Sequence, residues 1–284
     1  MSLLDNVRNY QVVAKDLYTR SLLSPENFIA KIPGPLPINS ATASIRENFS
    51  ITPNSQGKFL LVLDPFSNTG KLYTQDDLDG NGTGTVTNKS FTISNTIVDQ
   101  FRLVSSSVII RYYGNFNQMS GLFISAVTSD PSAQVDWRNF NNIEDLTNKF
   151  LSKCVDGVKL IYTPMDNKAI EFAKIDTLTN NNHPCKGQYL FVIAGDLFPN
   201  NTCIRVDFYR NIEYTTLPQY REYIMQSKTI PCQFELPSIE RQSSIAPING
   251  ENMSALSNNN IPYELKLIDN ALGRGLDINT KMLM

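Results

Sequence analysis

Asp77, Asp79 and Asn81 are the side chains of this sequence best spaced for chemistry. In Asp77-Leu78-Asp79-Gly80-Asn81-Gly82 they set oxygen atoms at alternate positions just ahead of glycines. That is the first half of a calcium loop, because Ca²⁺ takes ~6–8 oxygen ligands around a tight turn. The twelfth position is Asn88 rather than a bidentate glutamate. The competing reading, a solvated Asp/Gly turn at a loop tip, therefore carries more weight. Asp77, Asp79 and Asn81 stand as a weak calcium candidate, and no other cofactor is implied.

Catalytic patterns are hard to find. The only histidine, His183, lies in Asn181-Asn182-His183-Pro184-Cys185, and a cysteine two residues away gains no activation from closeness in sequence alone. It reads as an ordinary loop residue. Asp64, Glu171 and Glu213 could pair as acid and base, but no spacing singles them out. Neither a Walker nor a dinucleotide phosphate loop is present. The chain reads as a non-enzyme. Tyr112 with Tyr113 and Tyr220 with Tyr223 could stack on sugars or bases, although core or interface packing is the better reading for strand aromatics.

The elements that would position these residues are strands. Phe101 to Val127 reads as a central hairpin: apolar positions at a period of two on both faces through Tyr112, turn residues Asn115 and Asn117, then Leu122 to Val127 entered through Gly121. Further strands are expected at 45–51, 59–63, 158–162, 169–175, 188–194 and 203–214, with short edge pieces at 71–74 and 86–93. Residues 142–151 carry Ile143, Leu146, Phe150 and Leu151 on one helical face, a short amphipathic helix within a long insertion. Eight principal strands without intervening helices predict an all-β fold, an eight-stranded antiparallel jelly-roll sandwich. Residues 1–44, with a loose helical or arm-like start and the extended run Ile32-Pro33-Gly34-Pro35-Leu36-Pro37, form an N-terminal arm. Residues 45–215 form the shell of strands. Residues 216–284, rich in Pro, Asn and Ser, form a C-terminal extension.

Composition bounds the function. The chain has 284 residues and a net charge of −2, with Lys and Arg scattered singly, so no electrostatic footprint for nucleic acid is visible. Cys154, Cys185, Cys203 and Cys232 are far apart and lack CxxC spacing, which suits a reducing compartment. The N-terminal stretch has acidic residues inside its apolar pattern, unlike a signal peptide, and no apolar run approaches ~18 residues.

Four pieces resemble the coat proteins of small non-enveloped icosahedral viruses. Ile45 to Ile51 followed by Gly57 to Pro65 is similar to the first two strands of nodavirus and birnavirus shell domains. Phe101-Arg102-Leu103-Val104-Ser105-Ser106-Ser107-Val108 resembles the aromatic-Arg-x-Val-Ser-x-Ser-Val phrase of nodavirus- and tombusvirus-like shells. Ser120 to Val127 resembles the next strand, which opens with glycine there and in picornavirus-like shells. Val206 to Tyr214 resembles the closing strand with its glutamate, Glu213. Together they span roughly residues 45–215. The chain departs from the basic arm of nodavirus- and tombusvirus-like coats: residues 1–50 set Arg8, Lys15, Arg20, Lys31 and Arg46 against Asp5, Asp16, Glu26 and Glu47. Picornavirus-like or birnavirus-like shells fit that charge better.

The resemblance implies a structural capsid protein, made in the host cytoplasm and resident in the virion. Its partners would be copies of itself, sister capsid proteins, a packaged genome of RNA held without a basic arm, and a host receptor. Calcium between subunits would be its ion. A lectin-like β-sandwich binding carbohydrate is the alternative; it accounts for the Asp77 loop and the tyrosines but not for two long extensions.

Overall fold

The computed structural model describes residues 3–34, 37–73, 86–90, 97–114, 117, 119–128, 149–164, 167–174, 183–197 and 204–229. All of them fall within one compact unit, Met1–Ala246. Two antiparallel sheets lie face to face. The first runs β12 (Ser227–Lys228), β1 (Asn39–Ile51), β11 (Ile204–Thr216), β5 (Val98–Tyr112), β8 (Val158–Ile161), with β9 (Ala173–Lys174) also paired to β5. The second runs β4 (Val86–Ser90), β3 (Thr69–Tyr73), β2 (Lys58–Leu63), β10 (Leu190–Leu197), β6 (Gly121–Thr128), β7 (Phe150–Lys153).

The expected all-β sandwich forms, but β7 stands where the end of a helix was expected and the strand expected at 169–175 is reduced to the two-residue β9; apart from β9 and the edge pieces β3, β4 and β12, eight strands remain. Numbered from one to eight in chain order, the remaining strands alternate between the sheets as 1-8-3-6 and 2-7-4-5. This interleaving overturns the expected central hairpin. β5 and β6 follow one another in the chain but do not pair: β5 lies between β11 and β8, and β6 between β10 and β7. Both strands carry enough apolar surface to sit inside a sheet, and period-two patterning says which face is buried without saying which neighbour covers the edge.

The core lies between the sheets. Phe59, Leu61 and Leu63 of β2, Phe123 of β6 and Phe191 and Ile193 of β10 oppose Phe101, Leu103, Val108 and Ile110 of β5 and Val206 and Phe208 of β11. Phe191 meets Phe208 edge-to-face at 6.4 Å across the sandwich, the geometry that aligns a ring's positive edge with its neighbour's negative face. The inward positions of β5 switch from odd to even numbers because its register with β11 shifts where Asn211 pairs with Ser105 but Ile212 with Leu103. The extra residue, Val104, points outward beside Arg102 and Ser105. A bulge re-aims side chains in this way, and it lets one strand serve the core at both ends while presenting a polar and apolar mixture to the other face.

That other face is covered by the N-terminal segment. Helix α1 (Leu3–Leu23) sets Tyr18 and Leu22, one turn apart, onto Val104, and Ala30 and Ile32 from the following extended stretch complete the cluster. The segment expected as an arm is thus tied to the sheet along much of its length. Two other expectations differ. In place of the strand expected at 169–175, a 3-10 turn at Asn167–Ile170 precedes the two-residue β9; the Ile170 carbonyl and the Phe172 ring meet Arg102 instead of joining a ladder. The helix expected at 142–151 lies outside the described residues up to 148, and Phe150 and Leu151 open strand β7.

Candidate functional site

The calcium candidates Asp77, Asp79 and Asn81 lie outside the described residues. Among the described residues no three His, Cys, Asp or Glu side chains gather where they could hold a metal ion. The carboxylates considered as an acid–base pair are held separately. Asp64 accepts hydrogen bonds from the backbone N–H groups of Phe66 and Gly187, both at 2.8 Å. Glu213 is engaged by Arg102. His183 is buried: its Nδ1 accepts from the Cys185 N–H at 3.1 Å, and its ring packs on Phe66 with centroids 4.3 Å apart. Cys154 and Cys185 are buried and form no disulfide among the described residues. Tyr112 packs partly against the core, whereas Tyr113 and Tyr223 are 73% and 82% exposed.

Asp64 closes the corner where the chain leaves β2. Burial is the largest influence on it and pushes its pKa up to about 6 despite the two N–H donors and the nearby Lys186 and Arg210 charges. A carboxyl raised in the folded state binds its proton more tightly there than in the unfolded chain. Its contribution therefore favours folding at low pH and is lost as pH rises from about 4 to about 6, on the order of 3 kcal/mol in all. The stability of the native protein minus that of Asp64→Asn should fall over this window when urea midpoints are compared at pH 4 and pH 7. A difference that stays flat would show that Asp64 titrates in the folded protein as it does in the unfolded chain.

The densest polar arrangement is the junction between the N-terminal segment and the first sheet. The guanidinium of Arg102 donates to Glu213 from Nε at 3.0 Å and from Nη2 at 2.7 Å, and to the carbonyls of Ile32 at 2.8 Å and Ile170 at 3.2 Å. Its plane lies over the Phe172 ring, 4.5 Å from the centroid. Glu213 also accepts from the Ser40 hydroxyl and, at 3.0 Å, from the Ile32 N–H. A second group lies alongside: Ser21 meets Ser105 at 2.8 Å, and Asn211 Nδ2 donates to the carbonyls of Pro25 and Phe28. Lys159 reaches Glu26 at 2.6 Å. Lys31 donates to the carbonyls of Ser40 and Ser227, tying in β12. All of these bonds except that from Lys31 to Ser40 join residues far apart in sequence. They act as a clasp.

Several large apolar side chains remain exposed. On α1, Val13 and Leu17 share a face turned away from Tyr18 and Leu22, and Val12, Phe28 and Ile29 are also more than a third exposed. On the second sheet, Leu122, Leu151 and Val155 are about half exposed beside the edge strand β7.

No protein-family model matches the chain, and no curated protein sequence matches it. Solved structures do. The structure of infectious bursal disease virus Gt strain matches with a TM-score of 0.62 at 12% identity, covering 86% of this chain and 95% of that one. The infectious bursal disease virus VP2 subviral particle matches with a TM-score of 0.59 at 11% identity, covering 77% and 91%. The chain has a VP2-like fold. The T13 particle of the same virus agrees, with a TM-score of 0.58 at 12% identity over 80% of this chain and 89% of that one. The first, second, third, fourth and eighth strands of the sandwich carry the residues that resemble coat proteins in sequence. Sequence reasoning reached this fold but missed the clasp, since Arg102 and Glu213 are 111 positions apart.

Proposed function

We propose that this protein is a structural subunit of a non-enveloped icosahedral virus shell, assembling with copies of itself around the viral genome. The carrying observation is the VP2-like fold, shared with solved viral particles over more than three quarters of the chain. The 1-8-3-6 and 2-7-4-5 strand order, which is that of a jelly roll, supports it. So does the apolar surface left open on α1 and beside β7, which another copy of the chain would cover. In this reading residues 1–44 are an N-terminal arm clasped to its own sheet and touching a neighbour through its outer face. Residues 45–215 are the shell domain and residues 216–284 an extension. Sister capsid proteins, a receptor and calcium at the 77–81 loop belong to the same proposal, as does synthesis in the host cytoplasm.

The test is to express the full chain and follow it by size-exclusion chromatography with light scattering and by electron microscopy of the high-mass fraction. Uniform hollow particles are the expected result. The double variant Val13→Glu, Leu17→Glu should remain folded, since both side chains face away from the sheet, yet lose at least about tenfold in particle yield, because each buried apolar contact is replaced by a desolvated charge. Undiminished yield would remove α1 from the subunit interface. A monodisperse monomer at every concentration, alone and with other capsid proteins of its virus, would remove the function itself.

A further inference from the structure

The sequence shows its cations scattered, but the fold gathers three of them. Arg205 stands directly opposite Arg111 across the β11–β5 pairing, and Ser50 stands opposite Arg205 on β1. Four residues back along β1, Arg46 stands opposite Tyr209, and its guanidinium lies 5.2 Å from the Tyr209 ring centroid. Paired residues share a face and alternate positions repeat it, so Arg46, Arg111 and Arg205 lie on the same outer face of the first sheet, and all three are exposed. The α1 segment packs at Val104, Ser105 and Asn211 and leaves this part of the face open.

Among the described residues their charges are not balanced: the one carboxylate bonded to them there, Asp207, is buried and serves Arg46 at 3.0 Å and Arg205 at 3.5 Å. Glu26, the next nearest, is held by Lys159. No acidic side chain meets Arg111 among the described residues. Two positive charges remain in excess, and like charges placed directly opposite one another cost a sheet stability unless an anion joins them.

The surroundings say which anion. Ser44, Asn48 and Ser50 are exposed on the same face of β1, and hydroxyl and amide groups beside arginine are the usual donors to phosphate oxygens. Arg46 and Arg205 share one oxygen of Asp207, so their guanidinium groups lie together, and Arg111 stands beside them on the next strand. The three cations come from three adjacent strands ~4.8 Å apart, a row that neighbouring phosphates of one backbone can meet. Resting on the shell function proposed above, we infer that this face lines the particle interior and that Arg46, Arg111 and Arg205 bind the sugar–phosphate backbone of the packaged nucleic acid, in place of a basic arm.

The probe is a fluorescein-labelled single-stranded RNA of about 20 nucleotides, titrated with dissociated full-length subunits by anisotropy at several salt concentrations. Arg111→Gln with Arg205→Gln should weaken binding and lower the slope of log K against log salt by about 1.4, since each phosphate contact contributes about 0.7 on a single strand. Arg111→Lys with Arg205→Lys should restore the slope. Lys71→Gln with Lys153→Gln, an equal charge loss at exposed positions of the second sheet, should leave it unchanged. An unaltered slope in the arginine-to-glutamine variant, equal loss in the lysine control, or equal arginine-dependent affinity for polyglutamate would each overturn the inference. Light scattering on the same samples separates the two proposals. Arginine-dependent RNA binding without particles, alone and with the other capsid proteins of its virus, supports the site and sinks the shell function, whereas particles with arginine-independent RNA content sink the site alone.

Discussion

Arg102→Ala is expected to lower the unfolding free energy by about 3–5 kcal/mol, the usual cost of breaking a buried ion pair from one side. The variant leaves Glu213, with no solvent exposure, as a carboxylate whose remaining donors are the Ser40 hydroxyl and the Ile32 N–H. It also strands the carbonyls of Ile32 and Ile170, which Arg102 satisfies in the native chain. Both losses fall at the point where residues 24–34 meet the sheet, so the N-terminal segment should loosen first. Urea titrations followed by circular dichroism give the total, and hydrogen exchange at residues 18–32 gives the location. Arg102→Met with Glu213→Leu should recover most of the loss, because an apolar pair needs no partners. A single-variant cost below about 1 kcal/mol would mean that water reaches the junction and that the clasp contributes little.

The second large effect is expected from Gly121→Ala. Gly121 opens β6 with φ at +106°, a conformation that side-chain-bearing residues rarely adopt. An added Cβ would overlap the backbone oxygen of Asp196 and lie 2.7 Å from the Leu197 Cα. Neither neighbour is a flexible side-chain end; both belong to β10, which pairs with β6 at this point. Backbone strain and overpacking together should cost about 3 kcal/mol or more. Gly187→Ala is the comparison: its φ is +80°, but an added Cβ meets nothing within 4 Å, so strain alone, about 1 kcal/mol, should remain. Equal costs for the two variants would show that β6 shifts away from β10 freely and that the close approach is not a constraint.

The sequence made the strands legible and their neighbours illegible. Phe59 to Leu63 and Leu190 to Ala194 are apolar runs too short for helices and bounded by turn residues, and they form β2 and β10 as read. Gly121 was visible as the entry to a strand. The partner of β5 was not, because alternation fixes faces and leaves edges open. The phrase Phe101-Arg102-Leu103-Val104-Ser105-Ser106-Ser107-Val108 carried the family resemblance, and the structure supplies its physics. Phe101 and Leu103 enter the core, Arg102 takes Glu213, and the bulge at Val104 meets α1, while Ser105, Ser106 and Ser107, all buried, are small enough to let neighbouring segments approach. The clasp and the arginine cluster share one reason for being missed. Each is assembled from residues on separate strands, and composition sees only that they exist. The calcium candidates Asp77, Asp79 and Asn81 fall outside the described residues and gain nothing from the fold.

The interleaved strand order also sets a timetable for the chain as it is made. β11 sits between β1 and β5, so two of the earliest long strands have no common neighbour until residue 216 has been synthesised. β10 plays the same part between β2 and β6. Only local pieces, the β2–β3–β4 meander and the β6–β7 pair, can form early on the ribosome; β1, β5 and the inner edges of β2 and β6 emerge unpaired and wait for β10 and β11, and sheet closure is delayed by loop entropy that must be met before the long ladders reward it. A protein built this way passes from nascent to folded nearly all at once, and for most of its synthesis it depends on whatever keeps exposed strands apart.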